Sequence, residues 1–139
     1  MTSTTDGRDR WAIVFGIAGA SNLLTGVWML WDPEHWYFNL PANVPGSGPL
    51  NEHFVRDIGC IFVVLGLWLL LGMRRPAWRF AAMATVAAWS GMHALVHVLD
   101  QARGLFGPEQ LGYDLPAVYA PSLLLVVLAV VLWRQRSVP

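Results

Sequence analysis

Lysine is absent from this sequence, and charge of either sign is scarce. The 139 residues include nine acidic residues and nine arginines, so the formal net charge is zero, and charged residues make up only 13% of the chain. There is no run of basic residues that could follow the phosphate backbone of a nucleic acid. Nucleic acid is therefore excluded as a partner.

Cysteine is nearly absent as well. The single Cys60 lies in an apolar stretch, so an intrachain disulfide is impossible and no set of cysteines can hold a metal ion. Stability must therefore come from packing between the elements of the chain and from the bilayer around it.

What the sequence does contain is apolar length, because 55% of its residues are hydrophobic. A helix needs about 20 mostly apolar residues to cross ~30 Å of hydrocarbon with its backbone hydrogen bonds satisfied internally. Four segments meet this requirement, and they cover residues 11–31, 52–73, 78–100 and about 116–133. The sequence predicts an all-α fold in which residues 1–139 form a single membrane domain, an antiparallel four-helix transmembrane bundle.

Arginine placement predicts the orientation of this bundle. Seven arginines flank the segments on one side of the predicted membrane: Arg8, Arg10, Arg74, Arg75, Arg79, Arg134 and Arg136. On the other side, Arg103 stands alone among six acidic residues. Because positive charge is retained on the cytoplasmic side during insertion, both termini are expected in the cytoplasm. The chain is then a multi-pass integral membrane protein whose partner is the lipid bilayer.

The histidines of the third segment belong to a polar stripe. Ser90, His93, His97 and Asp100 follow one another at spacings of three, four and three residues, which places them on one face of a helix. They lie in the half of the segment that is remote from the arginine-rich side. This placement predicts a polar cluster near the extracytoplasmic surface.

A second polar stripe opens the second segment, where Arg56 and Asp57 follow His53 at helical spacing. An ionised side chain in hydrocarbon costs about 2.5 to 3.5 kcal/mol on insertion scales, so these groups should face the interior of the bundle. The short arginine-containing turn after this segment makes the second and third helices antiparallel neighbours. We therefore expect the two stripes to meet at one depth, with His97 near His53 and His93 near Asp57 or Cys60.

The expected pocket opens outward and holds both acid and base groups. Histidine exchanges protons near neutral pH, and arginine can bind an anionic or carbonyl oxygen, so the leading hypothesis is a pocket for an apolar small molecule or a lipid. The expected acid and base residues are His93, His97 and Asp57. The expected ligand-binding residues are His53, Arg56, Asp100, Glu34 and Asn22. An isomerase, cyclase or hydrolase step would fit these groups, and whether the protein is an enzyme stays open.

Two other interpretations stay open as well. His93 and His97 have a spacing that can ligate zinc, copper or iron if another helix supplies a ligand such as His53. A metal ion is thus the one cofactor that the residues suggest, since there is no nucleotide or flavin motif. Alternatively, the polar residues only lock the helices in register. The apolar fourth segment then docks a non-catalytic accessory subunit onto a larger membrane complex or a second copy.

Two short motifs carry a resemblance to a known family. The first is NEHFVRDIG at residues 51–59, followed by an apolar Leu-Gly-Leu run and the arginine turn, and the second is MHALVH at residues 92–97. With these motifs the sequence resembles DoxX-like proteins, a superfamily of small four-helix membrane proteins. The resemblance implies a four-helix architecture, a polar cavity on the outer side and membership of larger membrane assemblies. It does not bring an activity with it.

Overall fold

The structure is a computed structural model that describes residues 9–136. Within that range the α-helices are α1 (Arg10–Trp31), α2 (Pro33–Asn39), α3 (Glu52–Arg74), α4 (Arg79–Ala102), α5 (Gln110–Asp114) and α6 (Ala120–Arg136). Short 3₁₀ turns lie at Val44–Ser47 and Pro76–Trp78, and a π-helical turn at Leu115–Tyr119 joins α5 to α6. No strand occurs among the described residues, so the predicted all-α fold is confirmed.

Four helical segments are long and apolar enough to cross a membrane, and they cover Arg10–Trp31, Glu52–Arg74, Pro76–Ala102 and Gln110–Arg136. The protein is therefore a small multi-pass membrane protein in a lipid bilayer. Arg8 lies outside the described residues. The other arginines expected on one side do lie together at one end of the bundle, where Arg79 contacts Asp9 and Arg136 contacts Phe80. We call this the arginine end.

The fourth span begins at Gln110, well before the start near Pro116 that the sequence predicts. Proline has no N–H for the carbonyl four residues earlier and its ring collides with that carbonyl, so it normally starts or breaks a helix. Here the backbone widens instead, and the Ala120 N–H donates to the carbonyl of Leu115, five residues back. The helix therefore continues through the proline, and part of the expected loop 101–114 is helical.

The backbones of α1 and α3 are in contact through glycines on both helices. A Cβ atom added to Gly26 would lie 2.7 Å from the carbonyl oxygen of Gly59, and one added to Gly66 would lie 2.6 Å from the backbone nitrogen of Leu23. Only glycine permits so close an approach, and small residues drive helix association in membranes in this way. Higher residue numbers in α1 meet lower numbers in α3, so these two helices run in opposite directions.

The apolar core lies in the half of the bundle nearer the arginine end. Phe15 of α1, Leu69 of α3, Met83 of α4 and Leu132 of α6 are buried in one cluster. Each of them lies within a few turns of the arginine-bearing end of its helix. Apolar packing therefore closes most of this half of the bundle.

An ion pair fastens the arginine end. The Arg79 side chain, only 11% exposed, donates to both carboxylate oxygens of Asp9 and also to the backbone carbonyl of Gly72. Asp9 also caps α1, because its side chain accepts a hydrogen bond from the Ala12 N–H. One guanidinium thus connects the start of α1, the end of α3 and the start of α4.

Replacing Gly66 by alanine should lower the free energy of unfolding by roughly 1 to 3 kcal/mol, the usual cost of overpacking a close interface. The new Cβ would meet backbone atoms of Leu23, which cannot rotate away. Gly91→Ala is the matched control, because a Cβ at Gly91 meets nothing within 4 Å and alanine is the better helix former. Reversible unfolding in mixed micelles measures both variants, and equal stabilities would contradict the backbone contact.

The pKa of the Asp9 carboxyl is held below its usual value of 3.8, chiefly by the hydrogen bond from Arg79. A carboxyl whose pKa is lowered by folding stabilises the protein above its unfolded pKa, and this contribution disappears as the pH falls through the folded pKa. Asp9→Asn should therefore be less stable than the wild type at neutral pH. The difference should shrink as the pH falls below 3.8.

Thermal unfolding in detergent as a function of pH measures this effect. Asparagine can still cap α1, so the substitution removes the charge and little else. Glu109→Gln is the control, since Glu109 is exposed and forms no ion pair within residues 9–136. A stability difference for Asp9→Asn that stays constant through the acid range would show that the ion pair contributes nothing.

Candidate functional site

A buried histidine–carboxylate pair lies at the end of the bundle opposite the arginine end. Nδ1 of His97 on α4 lies 2.9 Å from Oδ2 of Asp114 on α5. The Asp114 side chain is 2% exposed and that of His97 is 17% exposed. Such burial is rare for a carboxylate inside a membrane span unless the protein supplies its partners.

Gln110 supplies the second partner and ties the pair to a loop. Its Nε2 donates to Oδ1 of Asp114 at 2.9 Å and to the carbonyl oxygen of Ala42 at 3.2 Å. Its Oε1 accepts a hydrogen bond from Nδ2 of Asn43 at 2.8 Å. The loop between α2 and α3 is therefore fastened over the start of the fourth span, and both oxygens of Asp114 have a donor.

A second imidazole stands beside the pair. The rings of His93 and His97 meet edge to face with centroids 4.7 Å apart, and Phe106 lies 5.7 Å from His97 on another side. We call His93, His97, Gln110 and Asp114 the histidine–aspartate cluster. In the described part of the chain, Nε2 of His97 has no hydrogen-bond partner.

The Asp114 carboxylate determines which nitrogen of His97 is free to react. An ionised carboxylate only accepts hydrogen bonds, so Nδ1 of His97 carries the proton at this contact. In the neutral imidazole Nε2 is then the acceptor, and it can take up a proton while Asp114 stabilises the resulting charge. This is the arrangement of an oriented general base, with the carboxylate positioning the ring.

The polar stripe of α4 faces the fourth span. Ser90 and Ser122 form a hydrogen bond of 2.7 Å between their hydroxyls, and His97 meets Asp114 further along the same face. The spacing that places Ser90, His93 and His97 on one face is thus seen in the structure. The neighbour that this face meets is the fourth span, whereas the sequence predicts the second.

The polar side chains of α3 find partners on their own helix. Nε2 of His53 lies 3.5 Å from Asp57, with side chains 89% and 60% exposed, and Arg56 pairs with Glu52 at 2.9 Å, also in exposed positions. Within residues 9–136 no hydrogen bond or ion pair joins these groups to α4. Pairs four residues apart form readily on a helix surface, and the glycine face of α3 is occupied by α1.

The remaining expected ligand-binding residues lie apart from the cluster contacts. Nδ2 of Asn22 donates to the carbonyl of Ala18 in its own helix at 2.9 Å. Glu34 is exposed on α2, and Asp100 is half-buried near the end of α4 without an ion pair among the described residues. The structure therefore brings His93 and His97 together. Among the described residues, neither histidine forms a hydrogen bond with Asn22, Glu34 or Asp100.

The same range of residues holds no group of three or more His, Cys, Asp or Glu side chains placed to bind a metal ion. The expected ligand set of His93, His97 and His53 is therefore not assembled there. His93 and His97 are adjacent, but His53 pairs with Asp57 on the exposed surface of α3. A metal would need a ligand from another molecule or a rearranged helix.

Gln110 and Asp114 are the site residues that the sequence interpretation does not select. Their spacing of four residues places them on one helical face, but the prediction treats the segment before Pro116 as a loop. Recognising that a helix can pass through Pro116 by a π-turn would reveal this face. Comparisons of the chain with protein-family models, with curated proteins and with solved structures give no match.

Asp114→Ala should lower the free energy of unfolding by roughly 1–3 kcal/mol, because it leaves a buried hydrogen-bond donor of His97 unsatisfied. Gln110 and His97 then lose their acceptor, and the loop at Asn43 is loosened. The matched control is Asp57→Ala, an exposed pair whose loss should cost less than ~1 kcal/mol. Unfolding in mixed micelles compares the two, and a larger loss for Asp57→Ala would contradict the assigned burial.

Proposed function

We propose that this membrane protein binds a small apolar molecule or a lipid at the histidine–aspartate cluster, with His97 exchanging a proton with a polar group of that ligand. The observation that carries the proposal is the buried Asp114 carboxylate, which holds Nδ1 of His97 and leaves Nε2 without a partner in the described chain. A carboxylate that orients an imidazole in this way leaves the other ring nitrogen available to a ligand.

The cluster offers acid and base groups side by side. His97 can accept a proton at Nε2, and His93 is close enough in ring contact to receive or return one through a bound molecule. Reactions that need only proton transfer, such as an isomerase, cyclase or hydrolase step, fit these groups. Binding without a chemical reaction would use the same contacts. We therefore propose a ligand-binding site, and a reaction at that site is secondary to this proposal.

A shallow, open groove lies next to the cluster, and none of the four cluster residues lines it. It has a volume of about 480 Å³ and lies between α4 and the fourth span, with Val98, Gln101, Leu111 and Tyr119 among its lining residues. Its lining is mostly apolar, which suits a ligand that partitions into the bilayer.

Orientation and family membership belong to the same proposal. The clustering of arginines at one end supports a cytoplasmic location for that end, so the cluster would open toward the extracytoplasmic side. We also propose that the chain belongs with the DoxX-like proteins, on the motifs at residues 51–59 and 92–97. Four apolar spans with paired histidines on the third are compatible with that assignment.

A second candidate is an accessory subunit of a larger membrane complex. It is favoured by the exposure of large apolar side chains along α6, among them Leu123, Leu124, Val127 and Val130. A partner helix or a second copy could cover this face. In that case the histidine–aspartate cluster serves only to hold α4 against the fourth span.

The test is to purify the protein from native membranes and to identify co-purifying small molecules by mass spectrometry after solvent extraction. The wild type should retain a ligand that His93→Gln and His97→Gln lose by about tenfold, because a hydrogen bond to a charged group is worth ~1.5–3 kcal/mol. His53→Gln is the matched control, since that imidazole is exposed on α3.

His93→Gln separates ligand loss from unfolding, because His93 makes no hydrogen bond to Asp114 and its removal leaves the buried pair intact. Circular dichroism and the thermal midpoint confirm that each variant is folded. Identical extracts from all variants, together with a protein partner that every variant retains, would reject the ligand site and favour the accessory subunit.

A further inference from the structure

A second groove lies at the arginine end, away from the histidine–aspartate cluster. It runs between α4 and α6, has a volume of about 370 Å³, and is lined almost wholly by apolar side chains that include Phe80, Ala84, Ala88, Val126 and Val130. Small residues on α4 open this space between the two helices. Both helices are membrane spans, so the groove faces the acyl chains of the bilayer.

Positive charge stands at the end of this groove. The guanidinium carbon of Arg136 lies 4.7 Å from the ring centroid of Phe80, a groove residue, and Phe80 in turn lies 5.3 Å from Trp133. A guanidinium over an aromatic face is held there by a cation–π contact and keeps its donors available. Arg134 is exposed within the same last turn of α6.

Within the described part of the chain, neither of these two arginines has an acidic partner. Among residues 9–136 the only carboxylate at the arginine end is Asp9, and it is bound by Arg79. Arg134 and Arg136 form no ion pair in that range. An apolar groove with the Arg136 guanidinium at its end, and with Arg134 exposed in the same helical turn, is therefore complementary to an amphiphile with an anionic head.

We propose that the groove between α4 and α6 binds one anionic phospholipid, with an acyl chain against Ala84 and Ala88 and the phosphate at Arg134 and Arg136. Guanidinium groups bind phosphate oxygens in pairs of hydrogen bonds, and basic sites between membrane helices bind anionic head groups.

Native mass spectrometry of the detergent-solubilised full chain tests the head-group contact. Titration with palmitoyl-oleoyl phosphatidylglycerol should give one tightly bound lipid, and the phosphatidylcholine with the same chains should bind more weakly. Arg134→Gln and Arg136→Gln should each weaken binding of phosphatidylglycerol about fivefold, which corresponds to the contribution of one arginine near an anionic surface. Arg103→Gln, at the opposite end of the bundle, is the control and should change nothing.

The acyl-chain contact needs a separate variant. Ala88→Leu places bulk in the groove and should weaken binding of both lipids, while Ala20→Leu adds the same bulk on an exposed face of α1 and should not. Both substitutions lie on exposed helix positions, so the fold should be retained. This test does not depend on the histidine–aspartate cluster. A ligand that only the histidine variants lose would leave the phospholipid proposal unaffected.

Three outcomes would overturn the proposal. Equal affinity for the two lipids, or unchanged binding in both arginine variants, would remove the anionic head group from the site. Unchanged binding in Ala88→Leu would place the lipid elsewhere. A dimer that Ala88→Leu dissociates, with no lipid bound to the monomer, would show that a second copy occupies the groove.

Discussion

The Asp114 carboxylate lies within a helix that crosses hydrocarbon, where water cannot replace a missing hydrogen-bond donor. Each of its oxygens is satisfied by one side chain, from His97 on α4 and from Gln110 on its own segment. Gln110 also holds the loop at Ala42 and Asn43. One buried charge therefore determines how the end of the third span, the start of the fourth and the loop before the second fit together.

The two ends of the bundle are closed by different means. At the arginine end, the pair between Arg79 and Asp9 adds to an apolar core that contains Phe15 and Met83. At the other end, the hydrogen bonds of Asp114 add to buried apolar side chains such as Met29 and Val55. α4 takes part in both, since it begins at Arg79 and carries His97 near its end. It is held by charged contacts at each end and presents its middle to α6 and to lipid.

Local geometry could be predicted from the sequence, whereas the choice of neighbours could not. Apolar length and a period of 3.6 residues depend only on the helix itself, so the four spans and the common face of Ser90 and His97 follow directly. Which helix meets that face depends on packing elsewhere: glycines commit one side of α3 to α1, and Arg56 pairs within its own helix. Pro116 conceals the true partner, because proline normally ends a helix.

A contact that only locks two helices needs no titratable group. Ser90 and Ser122 join α4 to the fourth span through neutral hydroxyls, and an amide at position 114 could accept from His97 without the desolvation cost of a buried charge. The chain instead places a carboxylate against the imidazole of His97, with a second imidazole beside it. This choice raises the cost of folding and gives His97 an oriented, proton-accepting nitrogen. The ligand site that we propose would account for both features.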